Sequence, residues 1–264
     1  MSIICISRGS YYRGKEVAEK TAEILGYICV SRDSLLAESD EFDIPEIKLT
    51  RNIQHATQIL ERYSFGRERY INYISAAIFK RLKQDNHVYH GLAGQYFLND
   101  VSHLLRVRVI ADLDDRVKAE AERQNITSEK ARMLLKHDDE ERQKWSLFLY
   151  GIDIADPSLY DLTVNVSALG IDNSAELLAQ TARLPCFEAT EESQSRMSDQ
   201  ALAAEIRAAL FDFPTAGVST REGRAYVNVK APEEQTQQIR SRIESALQGI
   251  VELDNVEIRV DPFY

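Results

Sequence analysis

The sequence lacks any long apolar run. None of its segments approaches the roughly 20 consecutive apolar residues that a helix needs to cross a bilayer. Residues 1–7 have no basic flank, and their apolar stretch is far too short for a signal peptide. We therefore expect a cytoplasmic protein without a membrane span.

Cysteine is also scarce. The three cysteines, Cys5, Cys29 and Cys186, are odd in number, and two of them fall in strand-like apolar runs. This usage predicts reduced thiols in a cytosolic protein rather than a disulfide framework. The five histidines show no metal-ligand spacing with the cysteines, so the sequence predicts no zinc site and no protein ligand for a metal.

A surplus of positive charge is missing as well. The 32 Lys and Arg residues are outnumbered by 42 Asp and Glu residues, which gives a formal net charge of −10. An acidic chain argues against broad, nonspecific binding of nucleic acid, because neutralising phosphates requires a surplus of Lys and Arg on one face. We therefore expect no nucleic acid as a partner, whereas a small-molecule anion needs only a local basic pocket.

The overall amino-acid composition is that of a globular protein. Hydrophobic residues make up 44% and charged residues 28% of the 264 positions, which excludes collagen-like and wholly disordered classes. Residues 1–184 alternate between strand-like and helix-like segments. Strands are predicted at 2–6, 27–30, 87–90, 104–111 and 160–167, and helices at 14–25, 33–38, 46–61, 67–83, 114–124, 128–150 and 173–183.

This alternation predicts an α/β fold: a parallel five-stranded sheet with helices on both faces. Ligands of such sheets bind beyond the carboxyl ends of the strands. We therefore expect the loops after Ile6, Val30 and His90 to surround one crevice.

Residues 185–198 are polar and weakly periodic, which is typical of a linker. Beyond them, 199–264 reads as helix, strand, tight turn at Glu222-Gly223, strand, helix and strand. The sequence therefore predicts three parts: an N-terminal domain over 1–184, a linker over 185–198 and a small C-terminal α+β domain over 199–264. Because few contacts should cross a polar linker, we expect 1–184 to fold without 197–264.

One short motif follows the first predicted strand and opens the first helix. Its Gly-x4-Gly-Lys pattern is the core of a Walker A loop, in which backbone N–H groups and a helix N-terminus hold phosphate. Glu16 stands where Ser or Thr is expected; a carboxylate there either binds metal directly or faces solvent. An ordinary turn between strand and helix is the alternative. The motif reads Gly9-Ser10-Tyr11-Tyr12-Arg13-Gly14-Lys15-Glu16.

Four segments in the right order carry a resemblance to a known family. They are the loop and first helix at 6–26, a strand and helix start at 107–117, a lid-like segment at 137–144, and a last strand and helix entry at 160–171. On these segments the N-terminal domain resembles the cytidylate kinase-like family, a branch of the P-loop nucleoside monophosphate kinases.

The resemblance implies a P-loop kinase that uses ATP and Mg²⁺ and has a small nucleotide as its partner. Lys15 and the backbone of the Gly9–Gly14 loop are implied to hold the ATP phosphates, and Arg142 with Lys144 to close over the transferring group. Arginines expected around the crevice are Arg8, Arg13, Arg32, Arg67, Arg69 and Arg142. Substrate binding is implied for Arg32, Asp33 and Arg69, with Asp138 and Glu141 orienting the lid arginines.

Three positions depart from the family pattern. Leu92 and His137 stand where arginine is usual, and Lys144 replaces another arginine, although lysine offers only a point charge in place of a bidentate fork. Three hypotheses therefore stay open: a kinase for CMP or a related nucleotide, a kinase for another small acceptor, and a nucleotide-sensing regulator that has lost transferase activity and uses its C-terminal domain as output.

The hydrophobic pattern of the C-terminal domain resembles a BON-type domain, a module associated with binding ligands or membrane surfaces. From Asp199 onward there are 11 acidic and 7 basic residues, a net charge of −4, so anionic lipid is not an expected partner. The alternative is a packing or dimerisation unit, which would make the protein a homo-oligomer through this domain.

Overall fold

The computed structural model describes residues 2–9, 13–37, 56–91, 94–98 and 100–262. The chain divides by its contacts into two compact units, one formed by 1–59 and 84–190 and the other by 60–83 and 191–264. The helices, in chain order, are α1 Gly14–Leu25, α2 Arg32–Ala37, α3 Ala56–Leu60, α4 Gly66–Leu82, α5 Gly94–Phe97, α6 Leu113–Gln124, α7 Ser128–Tyr150, α8 Val166–Ala182, α9 Glu191–Ala209 and α10 Thr236–Leu247.

A parallel five-stranded sheet organises the first unit. Its order is β2-β3-β1-β4-β5, so the first strand lies in the centre. Ile3, Ile4, Cys5 and Ile6 are each no more than 1% exposed. Successive strand residues point to opposite faces, so both faces of the sheet are covered, as the sequence predicted. The strands are β1 Ile3–Arg8, β2 Ile28–Ser31, β3 His87–His90, β4 Leu104–Ile110 and β5 Leu162–Asn165.

Most predicted elements of this unit are confirmed to within a few residues, and two differ. The short helix α5 was not predicted. Helix α8 begins at Val166, seven residues before its predicted start. Gly170 inside it has a non-helical φ of 74°, which marks a kink between this added first turn and the predicted helix. Residues 38–55, which include most of the helix predicted at 46–61, lie outside the described residues.

The second unit contains a three-stranded sheet: β6 Gly217–Arg221, β7 Arg224–Ala231 and β8 Asn255–Pro262, in that order. β6 and β7 form an antiparallel hairpin whose two loop residues, Glu222 and Gly223, have φ values of 50° and 75°. Two positive φ values match the turns whose twist suits a hairpin. β8 is parallel to β7 and follows helix α10. The predicted small α+β architecture is confirmed.

The boundary between the two units differs from the predicted one. The predicted linker at 185–198 is helical from Glu191, and Ser193 and Met197 in it are buried. Helix α4, far upstream, contacts α9, and the Asn72 amide donates a hydrogen bond to the carbonyl of Pro214 at 3.0 Å. A cut after residue 184 would therefore separate partners within one compact unit.

Among the described residues, no helix is long and apolar enough to span a membrane. All three cysteines are free: Cys5 is buried, Cys29 half-buried and Cys186 exposed. Burial raises the pKa of the Cys29 thiol to about 11, with the Glu19 charge adding to the effect and Lys15 opposing it. The predicted reduced thiols are thus compatible with the fold.

Candidate functional site

The phosphate loop connects β1 to α1, as its motif predicts. Residues 10–12 lie outside the described part of the chain, so Gly9, Arg13 and Gly14 represent the loop. A Cβ on Gly14 would lie 2.8 Å from the Cβ of Arg8, so only glycine lets the start of α1 pack on the Arg8 side chain. Arg13 holds a left-handed φ of 50°. Lys15 is 59% exposed on its side chain and lies 3.4 Å from Glu19.

A cavity of about 260 Å³ opens at the carboxyl ends of β1 and β4. Its lining includes four arginines and one carboxylate, which makes it an electropositive pocket. This is the position where parallel sheets bind ligands. The charged residues of the lining are Arg8, Arg108, Arg116, Asp139 and Arg142.

An ion pair closes one side of this pocket. Arg116 on α6 donates through Nη2 to Oδ1 of Asp139 on α7 at 2.8 Å. Gly9 borders the same pair, since a Cβ placed on it would lie 3.9 Å from Cζ of Arg116 and 4.0 Å from Oδ1 of Asp139. The phosphate loop, α6 and α7 therefore converge at one point.

Helix α7 presents a different side to the pocket than the sequence predicted. Asp139, Arg142 and Gln143 line the cavity, and Arg142 is only 8% exposed. Lys144 is 64% exposed on its side chain and pairs with Glu141 at 3.1 Å, three residues earlier on the helix. Positions 139, 142 and 143 share one side of a helix, whereas 141 and 144 share another. Asp138, Glu141 and Lys144 are not among the lining residues, and their predicted roles stay predictions.

The C-terminal end of α7 is anchored to the sheet. Arg108, in β4, donates to the carbonyl of Ile154 and to the hydroxyl of Tyr160 at 3.2 Å. That hydroxyl also lies 3.2 Å from Oγ of Ser7 in β1. Arg108 therefore fixes the chain after α7 against the two strands whose ends form the pocket.

Further along the strand ends, Arg32 begins α2 and is 4% exposed. Its guanidinium lies 6.0 Å from the ring centroid of Trp145, which is 1% exposed. Asp33 is exposed and lies 3.9 Å from Arg32, so the structure brings both predicted residues to the end of β2. Their role in binding substrate stays a prediction.

His90 ends β3 and is 4% exposed. Burial lowers its pKa to about 4, and the charges of Arg8 and Lys15 lower it further, against an opposing effect of Asp33. The imidazole is therefore neutral at neutral pH. The two positive charges that act on it belong to the end of β1 and the first turn of α1.

Three further predicted positions are Leu92, His137 and Arg69. Leu92 lies outside the described residues. His137 is exposed on α7. Arg69 belongs to the second unit, where its guanidinium lies 4.1 Å from the ring centroid of Phe211, and its predicted contact with substrate stays a prediction.

Residues 3–168 match the family model described as the cytidylate kinase-like family. The chain belongs to this family. It is 33% identical over 107 residues to the cytidylate kinase of Sulfolobus acidocaldarius, covering 40% of this chain and 58% of that protein. It is 37% identical over 68 residues to the cytidylate kinase of Thermococcus kodakarensis, covering 26% of this chain and 35% of that one. The aligned part thus spans less than two thirds of either relative.

A solved structure gives the same fold. An uncharacterized protein from Eubacterium ventriosum superposes with a TM-score of 0.54 at 18% identity, covering 69% of this chain and 97% of the other. At this identity the similarity concerns the fold alone.

The residues that sequence reasoning missed in this family member are Arg108, Arg116 and Asp139. A signal existed for the first, because Arg108 lies opposite Ser7 in the parallel register and so reaches the strand end beside the phosphate loop. Arg116 and Asp139 lie 23 residues apart on separate helices. Only the packing of α6 against α7 brings them together.

The pocket suits the phosphates of a nucleotide. Four arginines line it, and Gly9, which also lines it, belongs to the loop that leads into α1. Within the described ranges, no group of three His, Cys, Asp or Glu residues could hold a metal ion. Magnesium commonly binds through one or two carboxylates plus substrate phosphates, and Glu16, exposed in the first turn of α1, offers one carboxylate.

Proposed function

We propose that this protein transfers the γ-phosphate of ATP to CMP or a related small acceptor in the cytoplasm, with Mg²⁺ as cofactor. The observation that carries this proposal is the pocket of about 260 Å³ with four arginines beside the phosphate loop. Phosphoryl transfer depends on positioning and on positive charge around the moving group, and this pocket supplies both.

The donor phosphates are assigned to the loop between β1 and α1. Backbone N–H groups of Gly9 and Gly14 and the N-terminus of α1 contribute partial positive charge. Lys15 is exposed and thus available to a phosphate. When bound, Mg²⁺ neutralises charge on the donor phosphates, with Glu16 as the carboxylate on offer.

The transferring group is assigned to Arg8, Arg116 and Arg142. Arg142 is only 8% exposed, and a poorly solvated guanidinium attracts phosphate more strongly than one in water. Asp139 holds the guanidinium of Arg116 in place at 2.8 Å, so that little reorganisation is needed during transfer. Arg32 and Asp33 are assigned to the acceptor.

Substrate identity is tested by measuring ADP formation with the full chain and Mg-ATP against CMP, dCMP, UMP and AMP. We expect the highest rate with CMP or dCMP. Background rates with all four acceptors, from a folded protein that binds ATP, would refute the assigned acceptor class.

Donor binding is tested by calorimetry on Lys15→Ala. Loss of the cation should weaken ATP binding at least about tenfold, equivalent to about 1.4 kcal/mol. Lys20→Ala is the matched control, because Lys20 lies on the same helix and pairs with Glu23 at 3.2 Å. Equal ATP affinity in the wild type and Lys15→Ala would remove the P-loop assignment.

A nucleotide-sensing regulator is the second candidate. The observations that favour it are the exposed His137, which replaces an arginine of the family pattern, and the pairing of Lys144 with Glu141 away from the pocket lining. Leu92→Arg discriminates between the two. In a kinase with a changed acceptor site this variant should raise the rate with CMP, whereas in a sensor it should leave turnover at background and ATP binding unchanged.

A further inference from the structure

The three-stranded sheet of the second unit has one face that no described helix covers. Along β7 the residues alternate strictly between exposed and buried. The buried residues join the core with α9 and α10, whereas the other set faces outward. The outward set comprises Gly217, Ser219 and Arg221 of β6, Arg224, Tyr226, Asn228 and Lys230 of β7, and Asn255, Glu257, Arg259 and Asp261 of β8.

This face is cationic in an acidic protein. Four of its residues are basic and two are acidic, a net charge of +2, whereas the whole chain carries −10. Both acidic residues lie on β8, and one of them, Asp261, already pairs with Arg259 at 2.7 Å and accepts from Asn228 at 3.0 Å. Lys230 lies opposite Asp261, so the uncompensated positive charge of the face lies at Arg221 and Arg224.

Arg221 and Arg224 lie directly opposite each other where the hairpin closes. Like charges placed opposite across two strands destabilise the pair. Within the described part of the chain, neither arginine forms a salt bridge or a hydrogen bond through its side chain. Phosphates bound to the two arginines would offset the repulsion and satisfy both guanidinium groups.

Tyr226 supplies an aromatic surface beside these arginines. It lies two residues after Arg224 on the same face, opposite Ser219 on one side and Glu257 on the other. Its side chain is 48% exposed although it stands in the central strand. Proteins bind single-stranded nucleic acids with basic side chains that contact the phosphates and with exposed aromatic rings on which the bases stack.

Other partners fit this face less well. Tyr226 is its only large exposed apolar residue, so a membrane would gain little buried apolar area. The cores of protein interfaces are depleted of charged residues. A symmetric dimer through the face would bury the arginine pairs of both copies.

We propose that this face binds a single strand of RNA or DNA, with phosphates on Arg221, Arg224 and Lys230 and a base stacked on Tyr226. From Arg224 to Lys230 the strand extends about 20 Å, longer than one nucleotide. The acidic net charge of the chain argues against broad binding, but it does not describe this local surface. The proposal is independent of the kinase assignment.

Fluorescence anisotropy of the full chain with a short fluorescein-labelled oligouridylate tests the proposal. Tyr226→Ala should weaken binding at least about fivefold, the lower end for loss of one stacked base, while Tyr226→Phe should retain it. Arg221→Ala/Arg224→Ala should weaken binding and reduce the slope of log affinity against log salt by about 1.4, since two phosphate contacts are lost.

The matched control is Arg196→Ala/Arg242→Ala, which removes the same charge from α9 and α10 of the same unit. This double variant and Lys15→Ala should bind the oligonucleotide like the wild type. Circular dichroism and thermal unfolding of each variant verify folding.

Three results would overturn the proposal. The first is that the folded wild type binds no oligonucleotide, the second that the control variant loses as much oligonucleotide affinity as the variants of the face, and the third that only Lys15→Ala loses it. Binding of vesicles containing phosphatidylserine in place of the oligonucleotide would assign the face to membranes instead. Because phosphate transfer to CMP is measured separately, failure here leaves the kinase assignment untouched, and the reverse also holds.

Discussion

The two sheets of this protein place their polar residues in opposite ways. In the five-stranded parallel sheet the central strand is buried on both faces, and the charged residues gather where β1 and β4 end. In the three-stranded sheet, helices cover one side only, and charged residues run along the full length of the other. The first arrangement forms a pocket and the second a surface.

This difference follows from how the strands are connected. Parallel strands need crossover helices, which cover both faces and leave only the strand ends for ligands. The β6–β7 hairpin needs only two loop residues and no crossover helix between its strands. One face of the smaller sheet can therefore stay in water. A pocket suits a small molecule held by converging charges, whereas an open face suits an extended partner.

The largest expected effect concerns the pocket. Arg116→Ala/Arg142→Ala should lower kcat/KM for phosphate transfer to CMP by about 100- to 10,000-fold, because each lost charge-assisted hydrogen bond contributes about 1.5–3 kcal/mol. Steady-state kinetics with Mg-ATP measures this.

Lys118→Ala/Lys136→Ala is the control, with one exposed charge removed from each of the same two helices. Arg221→Ala/Arg224→Ala on the open face should leave transfer unchanged. If the open-face variant slowed transfer as much as the pocket variant, the division of roles between the two sheets would be wrong.

An intermediate effect concerns pH. The folded-state pKa of His90 is about 4, below the ordinary value of about 6.5. The unfolded chain therefore takes up a proton at this residue as pH falls below about 6.5, whereas the folded protein does not until about pH 4. Between these values the free energy of unfolding should decrease by about 3 kcal/mol.

Denaturant unfolding at pH 7 and pH 4.5 measures this loss, and His90→Asn should reduce it. His137→Asn is the control, because that histidine is exposed. The second unit contains no histidine, so its own stability should vary less over this range. An unchanged pH dependence in His90→Asn would contradict the assignment.

The smallest effect concerns the hairpin turn. Gly223→Ala should lower the free energy of unfolding by about 1–2 kcal/mol, because residue 223 has a φ of 75° and its added Cβ would meet the Asp254 carboxylate. Urea unfolding of the full chain measures the change.

Glu222→Ala serves as the comparison for this turn. Residue 222 already holds a φ of 50° without being glycine, so exchanging one side chain for another should cost little. An equal decrease in the free energy of unfolding of both variants would show that the backbone conformation of the turn does not explain the effect of Gly223→Ala.

Local patterns predicted most of the fold. The runs 3–6 and 104–110 are apolar enough to indicate buried strands, and the apolar spacing of 14–25 indicates a helix whose observed bounds agree. The loop motif then identified the end of the sheet at which we propose that phosphate binds. Residues 185–198 were predicted to be a linker because 191–198 contain few apolar residues. In the structure this segment is helical from Glu191, and Met197 in it is buried.

The sequence predicted only some of the residues that line the pocket, because it does not show how helix α7 is rotated. Arg142 was expected near the pocket and lines it, whereas Lys144, two residues later, points elsewhere. A lid motif identifies a helical segment, but neighbouring residues on a helix face different directions. Which of them meets phosphate depends on how the whole helix is rotated against the sheet.

The sequence by itself determined the local elements, the order of strands and helices and the loop that begins α1, because these depend on residues close together in the chain. Only the tertiary structure decided that Arg116 meets Asp139 beside Gly9, that α4 packs with α9, and that the charges of β6 and β7 share one open face. Each of these depends on contacts between residues distant in sequence, and local propensity carries no information about them.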